Sequence, residues 1–388
     1  MTDGGLGPDD GPDDVPLFEI SWGREEVTNV VDSVTRGGYW ANGPFVSEFE
    51  DRIEAFVGVE NAVVFNSGTT ALVSALRAHG IGDGDEVIVP SFTFIATVNA
   101  VRLVGAEPVF ADIEDERYGL DPNSVSDVVT DNTRAIVPVH YAGTPCRIEA
   151  VADVADAHDL VLVEDAAEAF GATLDDTTVG TVGDSAMFSF CQNKVVATGE
   201  GGAVVTDDDD LAAELRLFRS HGRASDDYFD SHDTGEYRAV GNNVRMPDVV
   251  AAIGVGQIDR VDELIQRRRR VASEYADELA RIDGVEPMAD PDDGTHVYQL
   301  YTVTFAPDID RDAVVELLAK NDVSSKVYFD PVHRSAYYRD TYDGPVDHLS
   351  TTVEVSSRVL SLPMHADLSS SEIRRVTTVL EEAVERAR

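Results

Sequence analysis

The chain has 388 residues, 43% of them apolar, with Gly and Pro not in excess; this allows a large core plus a smaller companion unit of ordinary globular class. Asp and Glu total 73 against 30 Lys and Arg, and the resulting net charge of −43 repels nucleic acid and anionic membranes, so neither is expected as a partner. Two cysteines outside any metal-ligand spacing exclude a disulfide framework, and the lack of an apolar run of about 20 residues excludes a membrane span.

From the N-terminus, Met1 to Val15 is rich in Asp, Gly and Pro, has no signal-peptide pattern, and reads as a solvated, disordered acidic tail; a cytoplasmic location is expected. The acids are spread along the whole chain, which reads as adaptation of a halophilic type to a salt-rich cytoplasm rather than as an interaction tail. Between Asn61 and Thr206, seven short runs rich in Val, Ile and Phe predict strands over 62–65, 86–90, 108–112, 135–140, 160–164, 185–190 and 203–206. Helical stretches fall between them at 69–79, 95–104, 122–130 and 147–158. This alternation predicts an α/β fold with a mainly parallel sheet covered on both faces, its ligand site just beyond the carboxyl ends of the strands.

Three stretches at strand ends carry chemistry. Asn66-Ser67-Gly68-Thr69-Thr70 follows the first strand and opens a helix, so free N–H groups and the helix dipole offer an anion site; a plain N-cap accounts for the same residues equally well. The strand ending at Glu164 delivers Glu164-Asp165-Ala166-Ala167-Glu168. A carboxylate there can keep a heterocyclic nitrogen protonated, the electron sink that pyridoxal phosphate needs, although an acidic loop is common in so acidic a chain. Ser189-Phe190-Cys191-Gln192-Asn193-Lys194 leads into Thr198-Gly199-Glu200-Gly201-Gly202, where Ser189 can donate to a phosphate and the Lys194 amine can condense with an aldehyde. A lone Lys is usually a surface cation. In this chain Lys occurs only at 194, 320 and 326, so its place in the most Gly-rich stretch weighs against that. Cys191 reads as a small pocket-wall residue. His140, His221 and His333 read as hydrogen-bonded structural groups.

After Pro247 the pattern changes. A helical stretch is expected from Asp248 to about Ile282, its Arg267–Arg270 run forming a solvated face. A helix near 312–320, a strand near 323–329 and a closing helix near 371–387 complete a smaller α+β unit. The expected organisation is a tail over 1–15, a large domain over 16–260 and a small C-terminal domain over 261–388.

An ordered set of motifs runs through the chain: Gly-Tyr-Trp-Ala-Asn-Gly-Pro at 38–44, Asn-Ser-Gly-Thr-Thr-Ala-Leu at 66–72, Val-Pro-Ser-Phe-Thr-Phe at 89–94 and Val-His-Tyr-Ala-Gly at 139–143. Glu-Asp-Ala-Ala-Glu-Ala-Phe-Gly-Ala at 164–172, Ser-Phe-Cys-Gln-Asn-Lys at 189–194, Gly-Glu-Gly-Gly at 199–202 and Arg-Ser-His-Gly at 219–222 continue it. Gly-Asn-Asn-Val-Arg-Met-Pro-Asp at 241–248 and Leu-Ser-Leu-Pro-Met at 360–364 close it. From about Gly37 to Ala387 this set resembles the DegT/DnrJ/EryC1/StrS family of pyridoxal-phosphate-dependent nucleotide-sugar aminotransferases.

The resemblance implies an aspartate-aminotransferase-like, fold type I architecture with a seven-stranded large domain. It implies a homodimer with the active site at the interface, and a reaction between a nucleotide-linked keto sugar and an amino acid donor such as glutamate. Lys194 is then implied to hold the cofactor as a Schiff base and to shuttle the proton. Asp165 is implied to partner the pyridine nitrogen, Gly68, Thr69 and Ser189 to cradle the phosphate, and Phe94 to stack on the ring. Asn243 is implied to reach the phosphate of the neighbouring subunit. Glu168 stands where the family commonly has Gln or His beside the phenolic oxygen, a repulsive placement unless the carboxylate is protonated or paired. A branch of the family carries His in place of the Lys and dehydrates sugars, and Lys194 argues against that chemistry. A non-catalytic scaffold is opposed by the full set Lys194, Asp165, Gly68, Thr69 and Ser189.

Overall fold

The computed structural model describes residues 14–175, 177–224, 232 and 235–388. Helices α1 (Arg24–Thr35) and α2 (Pro44–Val57) come first. Strand and helix then alternate through β1 (Asn61–Phe65), α3 (Gly68–Ala78), β2 (Glu86–Pro90), α4 (Ile95–Leu103), β3 (Glu107–Ala111), α5 (Pro122–Val128), β4 (Thr133–Ile136), α6 (Ile148–His158) and β5 (Val161–Asp165). A short pair, β6 (Thr173–Leu174) and β7 (Thr177–Thr178), precedes β8 (Ser185–Ser189), β9 (Gly202–Thr206) and α7 (Asp209–Arg219).

The seven expected strands form one sheet in the order β1-β9-β8-β5-β4-β2-β3. Only β9 runs antiparallel to its neighbours. The near-continuous apolar runs have a direct cause: Ala62 and Val64 of β1 enter the core under α2, whereas Val63 and Phe65 enter the core under α3 on the opposite face. Burial on both faces removes the usual polar alternation. The strand order reverses around β2, which lies between β3 and β4. Such a reversal opens a crevice at the carboxyl ends of the strands.

The remainder comprises α8 (Asp248–Ile258), α9 (Val261–Leu279), β10 (Val285–Pro287), β11 (Gly294–Thr295), β12 (Tyr301–Phe305) and α10 (Arg311–Lys320). It ends with α11 (Ala336–Thr341), α12 (Ser350–Arg358), β13 (Val359–Leu362) and α13 (Ser370–Ala387). An antiparallel sheet β10-β12-β13 packs against α9, α10 and α13. In α13 the stripe Ile373, Val376, Leu380, Ala383 and Val384 is buried, and Ser369 with Glu372 forms a capping box at its start. Each large buried side chain there contributes roughly 1.5–3 kcal/mol.

Four expectations need correction. The single helix expected over 248–282 is two, broken at Asp259 and Arg260 where an apolar, almost wholly buried segment gives way to an amphipathic one. The segment 323–329 is not a strand; only isolated bridges tie Val323 to Val15 and Lys326 to Ser361, and Lys326, Tyr328 and Phe329 line a cavity instead of extending a ladder. The tail expected through residue 15 ends earlier: Val15 is buried and exchanges backbone hydrogen bonds with Asp322 and Ser324, while residues 1–13 lie outside those described. Arg268, expected on a solvated face, is buried, its guanidinium donating to the Tyr298 carbonyl at 2.9 Å. Helix α9 spans both cores, with Leu264 and Ile265 in the large one and Val271, Tyr275 and Leu279 in the small one.

Candidate active site

A cavity of about 470 Å3 opens at the carboxyl ends of the central strands. Gly68, Thr69, Phe94, Asp165, Glu168, Ser189, Cys191 and Lys194 all line it, so residues more than 120 positions apart in sequence meet there. Asn243 does not. It is exposed on the segment between α7 and α8, which bridges back to the end of β1 through Phe65 and Arg245.

At the β1–α3 junction both readings of the sequence hold together. Ser67 is the N-cap of α3, its hydroxyl accepting from the Thr70 N–H at 3.2 Å. That leaves the first-turn N–H groups of Gly68 and Thr69 without an intrahelical acceptor, directed at whatever sits before the helix. Backbone proximity here depends on glycine. A Cβ on Gly202 would stand 2.7 Å from the Gly68 nitrogen, and one on Gly68 would stand 3.0 Å from the Ser189 Cβ. The register places Gly202 between Phe65 and Ser189, packing the helix start against the β8 end.

Asp165 terminates β5 and is buried. Its Oδ2 accepts from the Thr97 hydroxyl at 2.7 Å, and Thr97 contacts Thr93 at 2.8 Å. Its Oδ1 accepts from the Ala167 N–H at 3.2 Å. Burial pushes the Asp165 carboxyl above its ordinary value, and these two hydrogen bonds offset only part of that. A carboxylate so placed gains from a cationic N–H.

Glu164, the residue before, points to the opposite side of the strand. Its oxygens accept from the Gly180, Val182 and Gly183 backbone N–H groups at 2.8–2.9 Å and from His140 Nε2 at 2.9 Å. The Cys146 N–H donates to His140 Nδ1, which fixes the imidazole as the tautomer protonated at Nε2. Burial opposes the Glu164 charge, yet the His140 and backbone N–H groups hold its pKa below the ordinary carboxylate value.

Lys194 sits on a loop folded back on itself, with Gln192 N–H donating to Gly199 O and Thr198 N–H to Phe190 O, both at 2.9 Å. Gly199, at φ +91°, makes that return. The Lys194 side chain is only 13% exposed, and its Nζ lies 3.4 Å from Glu168 Oε1. The other Glu168 oxygen accepts from the Ala142 N–H at 2.9 Å. In this structure both Glu168 oxygens are therefore partnered, one by the Lys194 ammonium and one by a backbone N–H. Phe94 caps the wall with 59% of its surface exposed.

These residues fit pyridoxal phosphate: an anion cradle at a glycine-tight helix start, a buried carboxylate lacking a hydrogen-bonded cation, a bare aromatic wall and a recessed amine share one cavity. Sequence reasoning missed Thr97 and Thr93, for which the four-residue spacing at the start of α4 was a usable signal. It also missed Phe18, Lys326, Tyr328 and Phe329, which come from remote segments and carried none. His140 and His333 are structural here: His140 buries against Glu164, and His333 Nδ1 contacts the Ser91 hydroxyl at 2.7 Å. His221 does not line the cavity.

The sequence matches the family model described as the DegT/DnrJ/EryC1/StrS aminotransferase family over residues 22–381. It is 40% identical over 345 residues to the GDP-perosamine synthase of Caulobacter vibrioides, covering 88% of this chain and 91% of that protein. It is 32% identical over 383 residues to the UDP-4-amino-4-deoxy-L-arabinose–oxoglutarate aminotransferase of Shewanella sediminis, covering 95% and 98%. Its fold is similar to the PLP form of the putative sugar aminotransferase Spr1654 from Streptococcus pneumoniae, with a TM-score of 0.90 at 26% identity over 97% of this chain and 100% of that one.

Proposed function

The chain belongs to the DegT/DnrJ/EryC1/StrS aminotransferase family, and from that premise we propose that it moves the amino group of glutamate onto a C3 or C4 keto group of a nucleotide-linked 6-deoxy sugar. It is a fold type I, pyridoxal-phosphate-dependent sugar aminotransferase. The observation that carries the reading is the convergence on one cavity of Asp165, at the end of β5, and Lys194, on the loop after the adjacent parallel β8. When bound, the cofactor supplies an aldehyde and a conjugated ring that accepts the electron pair released at the donor's α-carbon.

The chain's residues do the rest. Lys194 Nζ takes the α-proton of the donor and, in the second half of the cycle, returns a proton to the former keto carbon of the acceptor. Glu168, anchored by the Ala142 N–H, holds that amine in place between transfers. Asp165 keeps the proton on the ring nitrogen, and Thr97 fixes the carboxylate that does so. The N–H groups of Gly68 and Thr69 and the Ser189 hydroxyl bind the phosphate, while Phe94 covers the ring face. Lys194 in place of His favours transamination over dehydration.

The working unit is a homodimer. Val27, Val31 and Val34 form an exposed apolar stripe on α1, joined by exposed Trp22, Tyr39 and Trp40, on an otherwise acidic surface. Asn243, exposed and outside its own chain's cavity, is the residue we assign to the partner's. The charge of −43 suits a salt-rich cytoplasm. The test is a product assay with glutamate and a panel of nucleotide-linked keto sugars. The expected result is oxoglutarate released in step with a sugar whose mass reflects exchange of keto oxygen for an amino group. Oxoglutarate without an aminated sugar, or a dehydrated sugar, contradicts the proposal.

A further inference from the structure

Of the three lysines, Lys194 pairs with Glu168 and Lys320 with Glu316; Lys326, among the described residues, has no carboxylate within ion-pair distance. Left without a counter-charge, it lines the active-site cavity. Its backbone is pinned. Lys326 N–H donates to Ser361 O and Ser361 N–H to Lys326 O, at 3.1 and 2.9 Å. Two residues on, the Tyr141 hydroxyl donates to the Tyr328 carbonyl at 2.5 Å. From this fixed frame the ammonium stands 5.3 Å from the centre of the Tyr328 ring, which also lines the cavity. Unlike the recessed Lys194, Lys326 is exposed.

We infer that Lys326 is the receptor for the diphosphate of the sugar-nucleotide acceptor, an inference that rests on the sugar-aminotransferase reading above. The argument is one of depth. The reacting carbon must approach Lys194. In an amino acid donor the carboxylate is bonded to that same carbon, so it lies deep. In the acceptor the diphosphate is separated from the reacting carbon by the sugar ring, so it lies toward the mouth, where Lys326 stands. A compact ammonium binds phosphate oxygens as a point charge with three rotatable donors. The other charged groups lining the cavity besides Lys194, namely Asp165, Glu168 and Glu200, are acidic and repel a diphosphate, so without Lys326 the mouth would disfavour the acceptor.

The test uses the holoenzyme as wild type, Lys326→Ala and Lys326→Arg, titrated calorimetrically with GDP, UDP and dTDP and with the matching nucleosides. Loss of one charge-assisted contact predicts that Lys326→Ala binds the preferred nucleoside diphosphate about tenfold more weakly, a change of about 1.4 kcal/mol, and that Lys326→Arg recovers most of it. Binding of the nucleoside is expected to be unchanged, as is the rate at which glutamate bleaches the bound cofactor's absorbance. Equal nucleoside diphosphate binding by wild type and Lys326→Ala overturns the assignment of Lys326 alone. A slowed glutamate step with intact diphosphate binding also overturns it and makes Lys326 a carboxylate receptor. A wild-type enzyme that binds none of the three nucleotides sinks the sugar-nucleotide reading itself, and this inference with it.

Discussion

The two walls of the cavity are built by different rules. The inner wall, made of Gly68, Asp165, Ser189 and Lys194, comes from the carboxyl ends of β1, β5 and β8 in one sheet and from the loop that follows β8. The outer wall, made of Lys326, Tyr328 and Phe329, comes from an irregular segment held by two bridges and a tyrosine hydroxyl. A sheet edge can carry a cofactor site that every member of a fold needs, while a pinned loop can change its side chains without disturbing that site. The inner wall is therefore assigned the chemistry and the outer wall the choice of acceptor.

The largest expected effect separates the walls by chemistry. Asp165→Asn removes the charge proposed to face the ring nitrogen and is expected to lower turnover by roughly 10^2- to 10^3-fold, the order found when one electrostatic stabiliser is lost. Nucleoside diphosphate binding, measured on the same protein, stays at the wild-type level; a matching loss in both would erase the distinction between the walls.

The frame behind the inner wall is next. Glu164 has a lowered pKa in the folded state, so its contribution is fully present above its unfolded value near 4.5 and is lost as pH falls through the folded value. Replacing it with Gln leaves four donors around a weaker acceptor and is expected to cost about 3 kcal/mol of stability at pH 7. The variant should also destabilise less steeply on acidification than wild type does. Thermal melts from pH 7 to pH 4 check this, and parallel acid limbs for the two proteins would deny Glu164 that role.

A smaller effect is expected where backbones touch. Gly202→Ala places a methyl 2.7 Å from the Gly68 backbone and must shift the helix start proposed to hold the phosphate. About tenfold weaker retention of the cofactor, read by equilibrium dialysis, is the expected outcome for one misaligned set of N–H donors. Undiminished retention would mean that the cradle does not depend on that contact.

The same contrast governs what the sequence discloses. β1 to β5, β8 and β9 are legible because burial on both faces turns each into a continuous apolar run, and the motif residues stand directly after those runs. Thr97 is half legible, since its spacing from Thr93 is local but its bond to Asp165 spans 68 positions. Lys326 and Tyr328 are not legible as site residues. They read as part of a strand, and only the antiparallel bridge to Ser361 together with the Tyr141 hydroxyl decides which way they face. The break at Asp259–Arg260 escapes notice because neither Gly nor Pro marks it; the change from an apolar to an amphipathic pattern was the available signal. Arg268 escapes for a related reason, since a run of four arginines gives no sign that one of them turns inward to cap backbone carbonyls.

Two amines line this cavity, with opposite proposed tasks. Reduction of the holoenzyme with borohydride, followed by peptide mass analysis, tests that assignment most directly. A permanent pyridoxyl mass on the peptide carrying Lys194, with Lys326 unmodified, is the predicted result; an unmodified Lys194, or the added mass on Lys326, contradicts it.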